Sequence, residues 1–129
     1  MTLLPVTLSN AGPLSSDILS LEVTEHASGA RVVTVMGEID GLTAPELNAF
    51  LTAQLVVGQV VVVNLDGVRF MGSAGLAVLF EANKFALREG LDLQLVCNSQ
   101  TVDWALDATG LRDHFTIADT VQDALMHCD

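Results

Sequence analysis

The hydrophobic pattern of this chain changes period several times, and each change marks an element. Leu19-Ser20-Leu21-Glu22-Val23-Thr24 alternates apolar and polar residues, the two-residue period of a strand with one buried face. His26 to Gly29 supplies a turn, and Arg31 to Met36 reads as the second arm of a hairpin, stopping at Gly37. Gly37-Glu38-Ile39-Asp40-Gly41-Leu42-Thr43 is then a polar, glycine-flanked turn with two carboxylates. Thr43 as cap and Pro45 in the first turn open a helix whose buried face is Leu47, Phe50, Leu51 and Leu55, ending near Gly58.

The chain is organised around the next stretch, Val60 to Leu79. Val60 to Val63 is an unbroken β-branched run, ended by Asn64 and the Asp66-Gly67 turn signal, and suits a central strand buried on both faces. Beyond it Leu76, Leu79, Phe80, Asn83 and Leu87 recur at three and four, the period of a helix, which Gly90 closes. Ser73 falls where the period changes. Leu91 to Val96 is the next strand. Ser99 or Thr101 caps a helix through Trp104, Leu106 and Ala108, closed by Thr109-Gly110. Phe115 to Ile117 is a short strand and Thr120 to His127 a last helix.

Strands alternating with helices after one hairpin predict an α/β fold: a mixed sheet with parallel central strands and about four helices packed against it. Residues 1–17, with Pro5, Gly12, Pro13 and several serines, read as a loose N-terminal extension with a short edge strand near Leu3 to Leu8. Residues 18–129 are then one domain. In such sheets ligands and partners meet the loops at the carboxyl ends of the strands. If the strands before Glu38 and before Ser73 are neighbours, Asp40 and Ser73 share one rim.

Composition narrows the function. At 129 residues, half of them hydrophobic and 16% charged, the chain can bury one core without disulfides or metals. No apolar run has transmembrane length, and the start MTLLPVTLSNAG has no basic region, so a cytoplasmic protein without membrane contact is expected. Five basic against sixteen acidic residues give a formal charge of −11, which repels phosphate backbones and disfavours nucleic acid. A basic protein surface suits this chain better as a partner. Cys97 and Cys128 have no metal or redox spacing, and Cys97 follows an apolar run that reads as buried packing.

Candidate chemistry centres on Ser73. Its hydroxyl is either a helix cap, worth about 1 kcal/mol, or an accessible group flanked by the small residues Gly72 and Ala74, and the two readings are compatible. A serine hydrolase needs G-x-S-x-G, and Met71 holds the first glycine position. The trio of Ser73, Asp103 or Asp107, and His114 carries little weight in so acidic a chain. A phosphoaspartate site would gather Glu38, Asp40 and Asp66 around Mg²⁺, but the adjacent acidic pair and the late lysine are missing, and Lys84 is mid-helix. His26, His114 and His127 lack ligand spacing, and no glycine-rich phosphate loop with a lysine occurs. These residues point to no enzyme, metal or cofactor.

Three segments in order carry a family likeness: Gly37-Glu38-Ile39-Asp40; Phe70-Met71-Gly72-Ser73-Ala74-Gly75-Leu76; and Thr109-Gly110-Leu111 with Phe115, Ile117 and Ala124. They are similar to the G-E-[IL]-D turn, the F-[IM]-D-S-[SA]-G-L loop and the closing segment of the STAS domain family, and within it of the bacterial anti-sigma factor antagonists. The resemblance covers about Leu19 to Leu125. It implies that the unmodified chain binds an anti-sigma factor that is also a serine kinase, freeing a sigma factor. Phosphorylation at Ser73 then ends binding, and a phosphatase of the PP2C type restores it. It further implies a partner-facing rim of Glu38, Asp40, Thr43, Met71, Gly72, Ser73, Ala74 and Gly75, without catalytic residues. Gly72 stands where the family has Asp, Ala74 where a second Ser is frequent, and Asn64 where Asp often ends the central strand. A STAS scaffold without phosphorylation, stressosome-like or transporter-associated, whose rim binds a protein or a nucleotide, is the alternative.

Overall fold

Strand order in the sheet follows chain order, and the layering follows from that. The computed structural model describes residues 18–26 and 29–126. Among them are β1 (Leu19–Glu25), β2 (Arg31–Ile39), α1 (Ala44–Val57), β3 (Val60–Met71), α2 (Ser73–Glu89), β4 (Asp92–Val96), α3 (Gln100–Thr109), a 3₁₀ turn (Arg112–His114), β5 (Thr116–Ala118) and α4 (Val121–Met126). The expected extension 1–17 with its Leu3 to Leu8 strand, the turn residues Ala27 and Ser28, and His127 and Cys128 lie outside the described residues.

The sheet runs β1-β2-β3-β4-β5, with β1 antiparallel to β2 and every later pair parallel. Parallel neighbours need right-handed crossovers, and a monotonic strand order sends all of them to the same face. Thus α1, α2 and α3 share one layer over Leu19, Leu21, Val23, Val33, Val35, Val61, Val63 and Leu65. The opposite face is covered by α4, whose Ala124 joins Val32, Val62, Val96 and Ala118 in a smaller cluster. Val61, Val62 and Val63 are all buried, alternating between the two clusters, as the β-branched run predicts for a strand covered on both sides.

Two strands are longer than the sequence pattern indicates. β2 does not stop at Gly37 but continues to Ile39, and β3 passes through Asn64 and Asp66-Gly67 to Met71. The register between them shifts at Thr34/Met36 and again at Gly37/Glu38, and β3 carries one extra residue at each shift. Bulges use the residue types of turns. The Asn64 side chain accepts the Asp66 N–H at 3.0 Å, and Gly37 adopts φ 110° with the Ile18 carbonyl lying where a side chain would be.

Smaller departures have the same origin in packing. Leu87 is 72% exposed, and Ala82, Asn83 and Ala86 complete the buried face of α2. On α3 Val102 and Leu106 are buried, whereas Trp104 faces solvent. The last strand is Thr116–Ala118, one residue later than expected.

Candidate functional site

Neighbouring parallel strands deliver two loops to one edge. Ile39 and Met71 end β2 and β3 side by side, and the Gly72 N–H extends the ladder by donating to the Ile39 carbonyl at 2.9 Å. The loop Asp40 to Thr43 and the start of α2 therefore leave the sheet together, so Asp40 and Ser73 stand on the same rim. Gly72 has the extended backbone of an N-cap (φ −87°, ψ 176°), and Ser73 is the first helical residue. The expected serine cap is thus overturned: the cap position belongs to Gly72, and no side chain caps this helix. Ser73 is exposed, and its hydroxyl makes no hydrogen bond to the described residues.

The facing loop is tied internally. Asp40 Oδ1 accepts the N–H groups of Leu42 at 2.9 Å and Thr43 at 3.1 Å, while Thr43 Oγ1 accepts the Asp40 N–H at 2.9 Å. The same hydroxyl lies 3.0 Å from the Glu38 carbonyl and 3.2 Å from Asp40 Oδ1, and shares its proton between them. Thr43 therefore occupies the N-cap position of α1, as expected, with helical backbone (φ −95°, ψ −20°) and no side-chain cap hydrogen bond, and the Asp40 carboxylate serves the N–H groups before the helix. These backbone donors, Thr43 first and Leu42 next, hold the Asp40 carboxyl below its ordinary value of 3.8.

Of the residues expected to face a partner, Glu38 and Ser73 are exposed, and Asp40, Gly72 and Ala74 are half-buried. Thr43, Met71 and Gly75 lie buried beneath the rim instead. Their size explains this: Met71 and Gly75 fill the joint between strand ends and helix, and Thr43 is consumed by the loop. The carboxylates Glu38, Asp40 and Asp66 do not converge. Asp66 accepts the Asn98 N–H at 2.9 Å, tying β3 to the loop after β4, and no group of three His, Cys, Asp or Glu among the described residues could hold a metal ion.

The hydrolase trio is not assembled either. Asp103 and Asp107 are engaged by Arg112, at 2.8 and 2.7 Å, and this clamp of the 3₁₀ turn onto α3 has no signal in hydrophobic periodicity. His114 packs edge-on to Phe80, about two turns along α2 from Ser73, and its carbonyl accepts from Asn83. Cys97 is buried as expected, 3.4 Å from Asp103 Oδ1; burial and that carboxylate push its thiol up to about 12. Periodicity also missed a trough of about 480 Å³ between α1 and α2, because small residues on two separate helices make it. No helix among the described residues is long and apolar enough to cross a membrane.

Known proteins share this arrangement. The family model for the STAS domain matches residues 21–124. The anti-sigma-F factor antagonist RsfA of Mycobacterium tuberculosis is 31% identical over 104 residues, covering 78% of this chain and 81% of the relative. An anti-sigma-B factor antagonist of Listeria monocytogenes is 32% identical over 96 residues, covering 74% and 84%. The crystal structure of an anti-sigma factor antagonist from Mycobacterium paratuberculosis superposes with a TM-score of 0.78 at 31% identity, covering 93% of this chain and 97% of that one. With motifs, sheet order and relatives in agreement, the chain belongs to the STAS domain family, among its anti-sigma factor antagonists.

Proposed function

We propose that this protein is a cytoplasmic regulator without catalytic activity that binds an anti-sigma factor with serine kinase activity, releases a sigma factor, and loses that binding when Ser73 is phosphorylated. A phosphatase of the PP2C type resets it. The observation that carries this reading is the Ser73 hydroxyl: exposed, free of hydrogen bonds to the described residues, and first in the helix that leaves the rim. Residues 18–129 act as one binding domain. Glu38, Asp40, Gly72, Ser73 and Ala74 form the contact surface, and the buried Thr43, Met71 and Gly75 position it.

Charge makes the switch. A phosphate adds about −1.5 to −2 at a helix N-terminus, where the helix dipole favours an anion, so the fold survives. Inside a desolvated interface the same charge needs a new cationic partner or costs several kcal/mol, enough to change an affinity by orders of magnitude. The test expresses the anti-sigma factors of the source organism singly, incubates each with the chain and ATP, and locates phosphate by mass spectrometry. Phosphate at Ser73, lost binding in Ser73→Glu with an unchanged melting midpoint, and retained binding without phosphate transfer in Ser73→Ala are expected. A Ser73→Glu variant that binds normally, with no phosphate at Ser73 of the parent, overturns the switch and favours the scaffold reading.

A further inference from the structure

Beside Ser73 the rim opens into a trough between the first turns of α1 and α2, of about 480 Å³. Gly41, Ala44, Ala74 and Ala77 form its walls, and Asn48 and Glu81 stand towards its far end. Its volume is within the range of about 300–1,000 Å³ common for binding clefts. A small-molecule site, however, requires several convergent polar groups to orient the ligand, and here Asn48 and Glu81 are the polar side chains among the lining residues. An open apolar trough with an acidic end matches the pocket for a buried anchor residue at a protein interface.

Resting on the reading of Ser73 as the gate, we infer that the trough receives one large apolar side chain from a helix of the anti-sigma factor, with a basic residue one turn away meeting Glu81. Three features select this occupant. The trough is continuous with the gate, since Ala74 follows Ser73 directly and belongs to its wall. Ala74, Ala77 and Val78 make the wall beside the gate apolar. The chain has formal charge −11 and α1 contains no basic residue; Glu81 is ion-paired with Lys84 at 3.4 Å, an exposed and therefore weak pair that a cation flanking the anchor displaces. A phosphate on Ser73 would stand at the mouth of the trough, which explains how one added charge removes a contact whose energy is apolar.

The experiment fills the trough without touching the gate. Ala77 and Asn48 are exposed on opposite walls, so Ala77→Leu and Asn48→Leu alter the trough while the core stays as it is. Each anti-sigma factor of the source organism is titrated by calorimetry against the parent, both variants, Ser73→Glu, and Ala108→Leu, an exposed position on α3. Expected are an affinity at least tenfold weaker for Ala77→Leu and for Asn48→Leu, unchanged affinity for Ala108→Leu, and melting midpoints close to the parent. Glu81→Lys should weaken binding several-fold. If both trough variants bind within twofold of the parent while Ser73→Glu does not bind, the trough proposal falls and the gate stands. If Ser73→Glu binds like the parent, the gate falls and the trough proposal falls with it. If one trough variant fails to fold, the other decides.

Discussion

Gly75 lies so close to Ile39 that no side chain fits between them: a Cβ on Gly75 would stand 2.5 Å from Ile39 Cγ2 and 2.6 Å from Met71 Sδ. This contact seats the first turn of α2 on the ends of β2 and β3, and it fixes the level at which Ser73 emerges. Gly75→Ala gains about 1 kcal/mol of helix propensity but pushes a methyl into strand side chains, an overpacking that typically costs about 1–3 kcal/mol. Contacts this short put the cost in the upper part of that range, about 2–3 kcal/mol, so a net destabilisation of about 1–2 kcal/mol is expected, as a lower urea midpoint with an unchanged slope. An unchanged midpoint would show that the joint is looser than this geometry.

Gly72 behaves differently. Its backbone is one any residue adopts, and a Cβ there would meet the exposed Phe70 ring at 3.3 Å and the Ile39 carbonyl oxygen at 3.5 Å, so a small shift of the ring accommodates it. Gly72→Asp supplies the missing cap and reduces the freedom of the unfolded chain. A gain of about 0.5–1 kcal/mol follows, readable in the same urea titration, where a loss would mean that the Phe70 ring does not yield.

The Asp40 loop makes stability depend on acid. Because the folded carboxyl titrates below 3.8, its contribution is complete above that value and is lost as pH falls through the folded pKa. Asp40→Ala should melt lower than the parent at pH 7, and the gap should close as pH is brought below 3.8. A gap that stays constant down to pH 2 would contradict the hydrogen bonding described.

Cys97 should be silent in the folded chain. Its thiol, raised from 9.0 to about 12 by burial and the Asp103 carboxylate, is protonated at pH 8. Iodoacetamide at pH 8 should modify Cys97 only after denaturation, as peptide mapping would show. Its contribution to stability is intact below pH 9.0 and declines between there and about 12. Rapid native labelling at Cys97 would mean that the first turns of α3, which carry Asp103, lift away from it.

Much of this protein is written in its local pattern. The alternation of Leu19 to Thr24 reflects a burial period of two residues, the unbroken valine run at Val60 to Val63 a strand covered on both faces, and the α2 face from Leu76 to Asn83 a period of 3.6; those patterns survive folding. The motifs around Asp40 and Ser73 were legible for a related reason, since parallel strands carry function at their carboxyl ends and the chain places its short polar segments there. The family, the mixed sheet with parallel central strands and, on the condition that β2 and β3 are neighbours, the shared rim were therefore available from residue order, while the strand order itself was not.

What tertiary structure decided is where one sequence signal serves two conformations or where contacts come from distant segments. Asn64, Asp66, Gly67 and Gly37 have turn chemistry, yet pairing between β2 and β3 extends both strands and converts those residues into bulges. Ser73 and Thr43 both read as caps, but the N-cap of α2 is Gly72, and the hydroxyl of Thr43, at the N-cap of α1, is engaged within the Asp40 loop and not with the helix. The trough between α1 and α2 exists only because two crossover helices lie on the same face. Local pattern reports which side of an element is dry, while pairing across the sheet and packing between helices determine which backbone groups and side chains remain free for a partner.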